Sequence, residues 1–203
     1  MRTVDDIIYD LSATDEVVWV NDAWSRFAEA NDGGALSPDL VLRRRLWDFI
    51  AGEPTRHIYG LLFDRVRSGG EVVRLSFRCD APARRRLLEL EISPLPDGRV
   101  RCRTRSVAEE ARNPVALLDP ARARSDQMLR LCSWCKRMAV PERGWLHLEV
   151  AVSALGLFAD RLPPDLTHGV CPDCAGILEE AVTDPPFGAS GRAIMGPLDG
   201  SRA

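Results

Sequence analysis

Lysine, histidine and cysteine are all scarce in this 203-residue chain. Of its 27 basic residues only Lys136 is a lysine, and it has three histidines and six cysteines. No stretch of 18 consecutive apolar residues occurs, and such a stretch is what a membrane-spanning helix needs. Residues 1–10 are acidic where a signal peptide would be basic and then apolar. We therefore expect a cytoplasmic protein with no membrane segment, and its 45% hydrophobic content suffices for a buried core.

Motifs of common catalytic sites are missing too. The sequence contains no phosphate-binding G-x-x-x-x-G-K-[ST], no zinc-protease H-E-x-x-H and no serine elbow G-x-S-x-G. It also lacks recognisable kinase, cyclase or helix-turn-helix output segments. We expect a protein that is not an enzyme.

Positive charge is concentrated in one segment. Residues 74–105 carry nine basic and four acidic side chains, whereas the residues on either side are net acidic. From Arg99 to Arg105 the arginines occupy every second position, which is one face of a β-strand. Aromatic residues are not interleaved with them and no DNA-reading helix is evident. We interpret the run as a solvated strand face and do not expect a nucleic-acid partner.

Four of the six cysteines form two C-x-x-C pairs. Cys132 and Cys135 form the first pair, Cys171 and Cys174 form the second, and 35 residues separate them. In a reducing compartment this spacing indicates metal ligands or redox groups rather than structural disulfides. Because four thiolates form a closed tetrahedral shell around Zn²⁺, we predict that these four cysteines bind one structural zinc ion.

Two other interpretations of the same thiols stay open. A pair of redox dithiols needs no metal. An iron–sulfur cluster could use the four thiolates, or His168 in place of one of them. Covalent haem attachment requires C-x-x-C-H, and it is excluded because Lys136 and Ala175 follow the two pairs.

The cysteine pairs belong to a segment, residues 131–182, that has the pattern of a folded module. Apolar residues between Trp145 and Arg161 recur at helical spacing, and an apolar run follows Cys174 directly. A pair at a helix N-terminus places its thiolates where backbone N–H groups favour negative charge. This arrangement predicts a small treble-clef-like zinc module.

Ahead of this module, short strands and short helices alternate. Five strands are predicted, and they centre on residues 7–9, 17–20, 73–79, 88–92 and 100–104. Between the second and third strands, Asn21 or Asp22 caps a first helix and a longer helix covers Thr55–Ser68. Cys79 and Cys102 fall on the apolar faces of their strands, so we interpret both as core residues.

This order of elements, with the stretch V-W-V-N-D-A-W-S-R-F-A-E-A-N at residues 18–31, resembles the PAS family of sensor domains over residues 4–107. The resemblance implies an α+β fold in which the concave face of a five-stranded antiparallel sheet and short helices enclose a small-molecule pocket. It implies sensing or dimerisation without naming the ligand. No cysteine precedes Cys79, so the cysteine of a flavin photosensor is missing, and His57 is interpreted as a surface residue rather than a haem ligand.

The C-terminal pattern is similar to a module attached to bacterial PAS and receiver proteins. The residues that carry this likeness are C-S-W-C-K-R at 132–137, Trp145 with Glu149, and T-H-G-V-C-P-D-C at 167–174. The two resemblances imply a non-enzymatic bacterial signal-transduction or sensory protein, with a PAS-like domain coupled to a structural zinc module. A thiol redox sensor that uses the C-x-x-C pairs is the alternative, and a transcriptional regulator is a more distant one. Expected partners are a small-molecule ligand, a second copy of the chain and a signalling protein.

Composition and local pattern assign three further segments. Residues 108–130, broken by Pro114 and Pro120, are predicted to be a partly helical linker, because Asp119–Leu131 is compatible with a helix. Residues 183–203 are rich in proline, glycine and small side chains, which predicts a disordered tail. The apolar segment Val4–Tyr9, ahead of the sheet, is the expected contact of a homodimer.

Overall fold

The computed structural model of the chain describes residues 5–31, 33–157 and 162–183. Its strands and helices, in chain order, are β1 (Ile7–Leu11), β2 (Val17–Val20), α1 (Asp22–Ala30), α2 (Pro38–Val41), α3 (Glu53–Gly69), β3 (Val73–Arg78), β4 (Arg84–Pro94), β5 (Val100–Ala111), β6 (Ser125–Cys132), β7 (Met138–Val140), β8 (Gly144–Leu146), α4 (Leu148–Ala154), β9 (Pro164–Gly169) and α5 (Pro172–Thr183). We call β1 to β5 with their helices, residues 5–111, the N-terminal region, and β6 to α5, residues 125–183, the C-terminal region.

The N-terminal region is built on a five-stranded antiparallel sheet in the order β2-β1-β5-β4-β3. The predicted α+β class and the predicted order of two strands, helices and three strands are confirmed. Asn21 caps α1 as expected, because its side-chain oxygen accepts from the backbone N–H of Trp24 at 3.1 Å. The same side chain also bonds the backbone of Asp6 and Ile8, which ties the helix start to β1.

The inner face of this sheet is apolar and packs on α3. A single row of paired residues crosses all five strands. Its members are Val20, Tyr9, Cys102, Ile92 and Val73. Leu62, Phe63 and Val66 of α3 are fully buried in the same core as this row. The alternation of polar and apolar residues along β4 and β5 therefore specifies which face of the sheet meets the helix.

The outer face of the sheet is charged and its charges are paired. Arg101 binds Asp10 at 2.7 Å, Arg105 binds Glu89 at 2.7 Å, and Arg103 binds Asp6. The solvated strand face inferred from the arginine spacing is consistent with these pairs, because the arginines of β5 are engaged by carboxylates of the chain itself.

One arginine expected on this outer face is buried instead. The alternation in β3 predicts Arg78 on the wet face, but its side chain is buried and bound to Asp80. The reason is tertiary, since β3 is an edge strand of the sheet and the N–H of Arg78, at its end, donates to the carbonyl of Trp134 in the C-terminal region. Cys79, predicted on the apolar face of the same strand, lies just past its end and is half-buried, whereas Cys102 is fully buried as predicted.

The C-terminal region has a second, four-stranded sheet in the order β8-β7-β6-β9. The helix predicted over 119–131 is wrong, because Ser125–Cys132 form β6, which pairs with β9 in parallel and with β7 antiparallel. Leucine, methionine and arginine favour helices, but pairing with two neighbours outweighs that preference. The helical stripe predicted from Trp145 is also shorter than expected: Trp145 lies in β8, and the helix is confined to α4.

The predicted segment boundaries do not all coincide with the ends of strands and helices. The predicted boundary at residue 107 falls inside β5, which continues to Ala111. The division into domains at the predicted boundaries stays a prediction, and the tail from residue 184 lies outside the described residues. The expected homodimer also stays a prediction. The segment predicted to form its contact includes part of β1 (Ile7–Leu11), and β1 pairs with β2 on one side and with β5 on the other, so the backbone of this strand is already paired within the sheet. No described helix combines the length and apolar character needed to cross a membrane.

Candidate metal centre

The two C-x-x-C pairs are brought together by parallel strands. Strands β6 and β9 run side by side in the register Leu131 to His168 and Cys132 to Gly169. Both pairs follow the carboxyl ends of these strands, Cys132 as the last residue of β6 and Cys171 two residues after β9. Because the ends of neighbouring parallel strands lie at the same edge of a sheet, residues far apart in sequence converge there.

The first pair lies in a tight turn, residues 132–135, which we call the knuckle. The turn is closed by the N–H of Lys136, which donates to the carbonyl of Cys132 at 3.0 Å, and by the N–H of Cys132, which donates to the carbonyl of Arg137 at 2.8 Å. Lys136 adopts a φ of 60°, in the left-handed region that glycine favours. The backbone reverses here so that β7 returns beside β6.

The second pair lies at the start of α5. Cys171 precedes the helix and Cys174 lies in its first turn, after Pro172 and Asp173. Proline at the first helical position has no N–H to leave unpaired, and an acidic residue complements the positive end of the helix dipole. The backbone N–H of Cys171 donates to the sulfur of Cys132 at 3.4 Å, which links the second pair to the first.

The four cysteines, which we call the cysteine cluster, bring their sulfur atoms close enough together to hold one metal ion. All four are buried, and their sulfur atoms lie within 4.8 Å of one another. The sulfurs of Cys135 and Cys171 are 3.6 Å apart. A Zn–S bond of about 2.3 Å implies an S–S separation of roughly 3.8 Å along the edge of a tetrahedron. The cluster is therefore compatible with a structural metal ion, as the spacing predicts.

Shared protons determine the charge of the cluster when it holds only thiols. Thiol hydrogen bonds from Cys135 and Cys174 lower the pKa of Cys132, and backbone N–H groups of Cys135 and Cys171 lower it further. The pKa of Cys135 is raised to about 12, chiefly because its proton is held by the sulfur of Cys132, and that of Cys174 is raised for the same reason. The proton of Cys132 therefore leaves easily, whereas those of Cys135 and Cys174 are held. Four thiolates at these distances require a cation between them.

The cluster belongs to the core of the N-terminal region as well as to its own. Trp134, in the middle of the knuckle, is buried with its ring centroid 5.4 Å from that of Tyr59 on α3. The hydroxyls of Ser133 and Thr55 are 2.7 Å apart, and the N–H of Arg78 at the edge of β3 donates to the carbonyl of Trp134 at 2.8 Å. The cysteines, Trp134 and the side chains of α3 form one continuous apolar cluster.

A buried ionic network, which the sequence analysis missed, lies beside the knuckle. Asp80 has no exposed side-chain surface and binds Arg78 of β3 and Arg112 beyond β5. Arg112 also binds Glu149 of α4 at 2.9 Å, and Arg85 of β4 binds the same carboxylate at 2.9 Å. The network thus joins both regions. The partners are distant in sequence, and no periodicity marks them.

The other candidate residues of the sequence analysis lie apart from the cluster. His57 is exposed on α3, as expected for a surface residue. His168, considered as an alternative ligand, lies in β9 with its side chain against Gly52 at the start of α3. Burial lowers the pKa of His168, and the positive charge of Lys136 lowers it further. It is not among the residues that converge within 4.8 Å.

Comparison with known proteins finds likeness in structure and none in sequence. No protein family matches it, and no curated protein matches it. A domain of an HTR-like protein from Haloarcula marismortui is similar in structure with a TM-score of 0.37 and 16% sequence identity, over 51% of this chain and 98% of that one. A likeness at this TM-score supports no conclusion about function.

Proposed function

We propose that Cys132, Cys135, Cys171 and Cys174 bind one structural Zn²⁺. The donor set carries this proposal: four buried sulfurs within 4.8 Å of one another, which cannot all be thiolates without a cation. Zinc supplies two positive charges and no redox chemistry, and four thiolates leave no open coordination position for water or substrate. The Arg137 side chain, next to the knuckle, binds Asp173 and also places positive charge near Cys135 and Cys171.

The module around this site is treble-clef-like in our proposal. Two ligands come from a turn between β6 and β7, and the other two come from the start of α5. A segment of about 50 residues buries little apolar surface by itself, and a metal offsets the entropy of ordering so short a chain.

As a whole, we propose a non-enzymatic, cytoplasmic sensory protein with a PAS-like N-terminal region. The element order that resembles the PAS family is the order of the structure, and the inner face of its sheet packs on the long helix α3. The single observation that favours signalling over a passive zinc domain is the position of the knuckle, which packs inside the core of the N-terminal region. A structural change in the N-terminal core is therefore transmitted directly to the knuckle, and a change at the knuckle is transmitted directly to that core. A small-molecule ligand, a second copy and a signalling protein remain the proposed partners.

A thiol redox sensor is the second candidate, and one observation favours it. The sulfurs of Cys135 and Cys171 are 3.6 Å apart, close enough for a disulfide after a small movement. In that case the protein works without metal, and oxidation of this pair is its signal.

Elemental analysis of the purified protein, combined with cobalt substitution, separates the two candidates. We expect about one zinc per chain, and Co²⁺ in its place should show thiolate-to-metal charge transfer and the visible bands of a tetrahedral site. Cys171→Ser should lose tight metal binding, whereas the matched control Cys79→Ser, outside the cluster, should keep it. Well under one metal ion per chain in protein kept reduced, with a reversible Cys135–Cys171 disulfide under mild oxidation, would contradict the zinc proposal and support the redox sensor.

A further inference from the structure

The two residues between the ligands of the knuckle both contact the N-terminal region. The hydroxyl of Ser133 bonds that of Thr55 in the first turn of α3, at 2.7 Å. Trp134 packs on Tyr59 of α3 through its ring and accepts the N–H of Arg78 through its carbonyl. A metal ion that holds Cys132 and Cys135 therefore fixes the residues that contact β3 and α3.

Trp134 occupies its position at a cost. The residue is buried, and its Nε1–H has no hydrogen-bond partner within the described residues. A buried donor without a partner is unfavourable relative to one that bonds water. The indole is kept inside by its apolar contacts and by the knuckle backbone, so release of the backbone favours movement of the ring toward water.

We propose that the knuckle is a metal-dependent latch between the two regions. With metal bound, Trp134 is held against Tyr59 and its carbonyl bonds the N–H of Arg78 at the end of β3. When the metal leaves, residues 132–135 lose their covalent restraint, Trp134 withdraws, and β3 and the first turn of α3 lose their contacts with the knuckle. Linkage makes the effect reciprocal: an event in the N-terminal region that moves α3 changes the metal affinity of the cysteine cluster. This inference rests on the proposed metal site.

Hydrogen exchange of the full-length protein tests the latch. Zinc-loaded protein is compared with protein stripped by a chelator and kept reduced, and metal content is measured in the same samples. We expect exchange of the Arg78 amide to accelerate at least tenfold on metal removal, whereas amides of β1 and β5 keep their protection. Unchanged exchange at Arg78 despite stoichiometric zinc overturns the latch and leaves the metal site standing. Loss of protection throughout β1 and β5 also overturns it, because the metal would then hold the whole sheet together.

Two variants keep the test independent of the ligands. In Trp134→Ala, which keeps the backbone carbonyl that accepts the Arg78 N–H, the Arg78 amide should stay protected while zinc is bound and exchange faster once it is removed, and Co²⁺ should still give its tetrahedral spectrum. Rapid exchange in the zinc-loaded variant would show that the ring and not the metal holds this contact, which overturns the latch. Thr55→Val removes one latch contact at nearly constant volume and should weaken zinc binding severalfold in a competition titration with a chromophoric chelator. Unchanged zinc affinity in Thr55→Val contradicts reciprocity and overturns the latch. If the parent protein binds no metal, the proposed site fails and the latch fails with it.

Discussion

Removal of the negative charge at Asp80 should destabilise the protein more than any exposed ion pair can. The carboxylate has 0% side-chain exposure, and Arg78 and Arg112, which it binds, have 6% each. It also accepts the backbone N–H of Arg86 at 3.3 Å. In Asp80→Asn two buried guanidinium groups lose their shared counter-ion, although the shape of the side chain is almost unchanged.

The magnitude follows from burial. Breaking a buried charge pair by removing one partner costs about 3 to 5 kcal/mol, because the remaining charge stays out of water. Two features limit the loss at Arg112: its guanidinium also binds Glu149 at 2.9 Å and donates to the carbonyl of Ala81 at 2.7 Å. Arg78 has no second carboxylate partner among the described ion pairs, so most of the cost falls there.

Urea denaturation of the zinc-loaded protein measures this cost. With an m-value of about 2 kcal/mol/M, a loss of about 3 to 5 kcal/mol lowers the midpoint by roughly 1.5 to 2.5 M. The matched control is Asp5→Asn, which breaks the ion pair with Arg26. The side chain of Asp5 is 69% exposed and that of Arg26 is 58% exposed. That pair should contribute less than about 1 kcal/mol. A midpoint shift in Asp80→Asn no larger than that of Asp5→Asn would refute the reasoning.

Two further predictions concern the knuckle and the sheet core. Lys136→Gly should be more stable than Lys136→Ala by about 1 kcal/mol in the same urea assay, because both lose the side chain but only glycine adopts a φ of 60° without strain. Equal midpoints for the two variants would show that the turn imposes no strain. Burial raises the pKa of Cys102 to about 12, so at pH 8 about one thiol in ten thousand is ionised. Mass-spectrometric mapping of iodoacetamide labelling should find Cys102 unmodified in the native protein and modified in denaturant, and rapid native labelling would contradict its place in the core.

The polarity of the sheet faces follows from local sequence except in β3, where Ser76 and Arg78 are both buried. Alternation in β4 and β5 predicts which side chains meet α3, because side-chain direction in a strand has a period of two residues. Arg78 obeys the same alternation and is nevertheless buried, at the point where the C-terminal region meets the end of β3 through Trp134. Local pattern describes a strand and its two faces, but it contains no information about what packs on an edge.

Strand β6 has, at Leu129–Leu131, the alternation of apolar and polar residues that is typical of a strand, but its helix-favouring residue types led to the prediction of a helix. Leu129 and Leu131 alternate with Met128 and Arg130, and the structure turns the leucines inward. The strand forms because β9, more than 30 residues later in the chain, supplies its hydrogen-bond partners, and intrinsic preference is weak beside such pairing.

By itself, the sequence determined the sulfur donors of the site and the order of the elements in the N-terminal region. The spacing of Cys132, Cys135, Cys171 and Cys174 indicated a four-sulfur site, because a C-x-x-C turn brings two sulfurs to one point whatever surrounds it. Only the tertiary structure decided that the two pairs meet, through the parallel register of β6 and β9. It also decided that Trp134 is buried against α3 and that Asp80 joins both regions. These are contacts between residues distant in sequence, and they form only when the whole chain has closed its core.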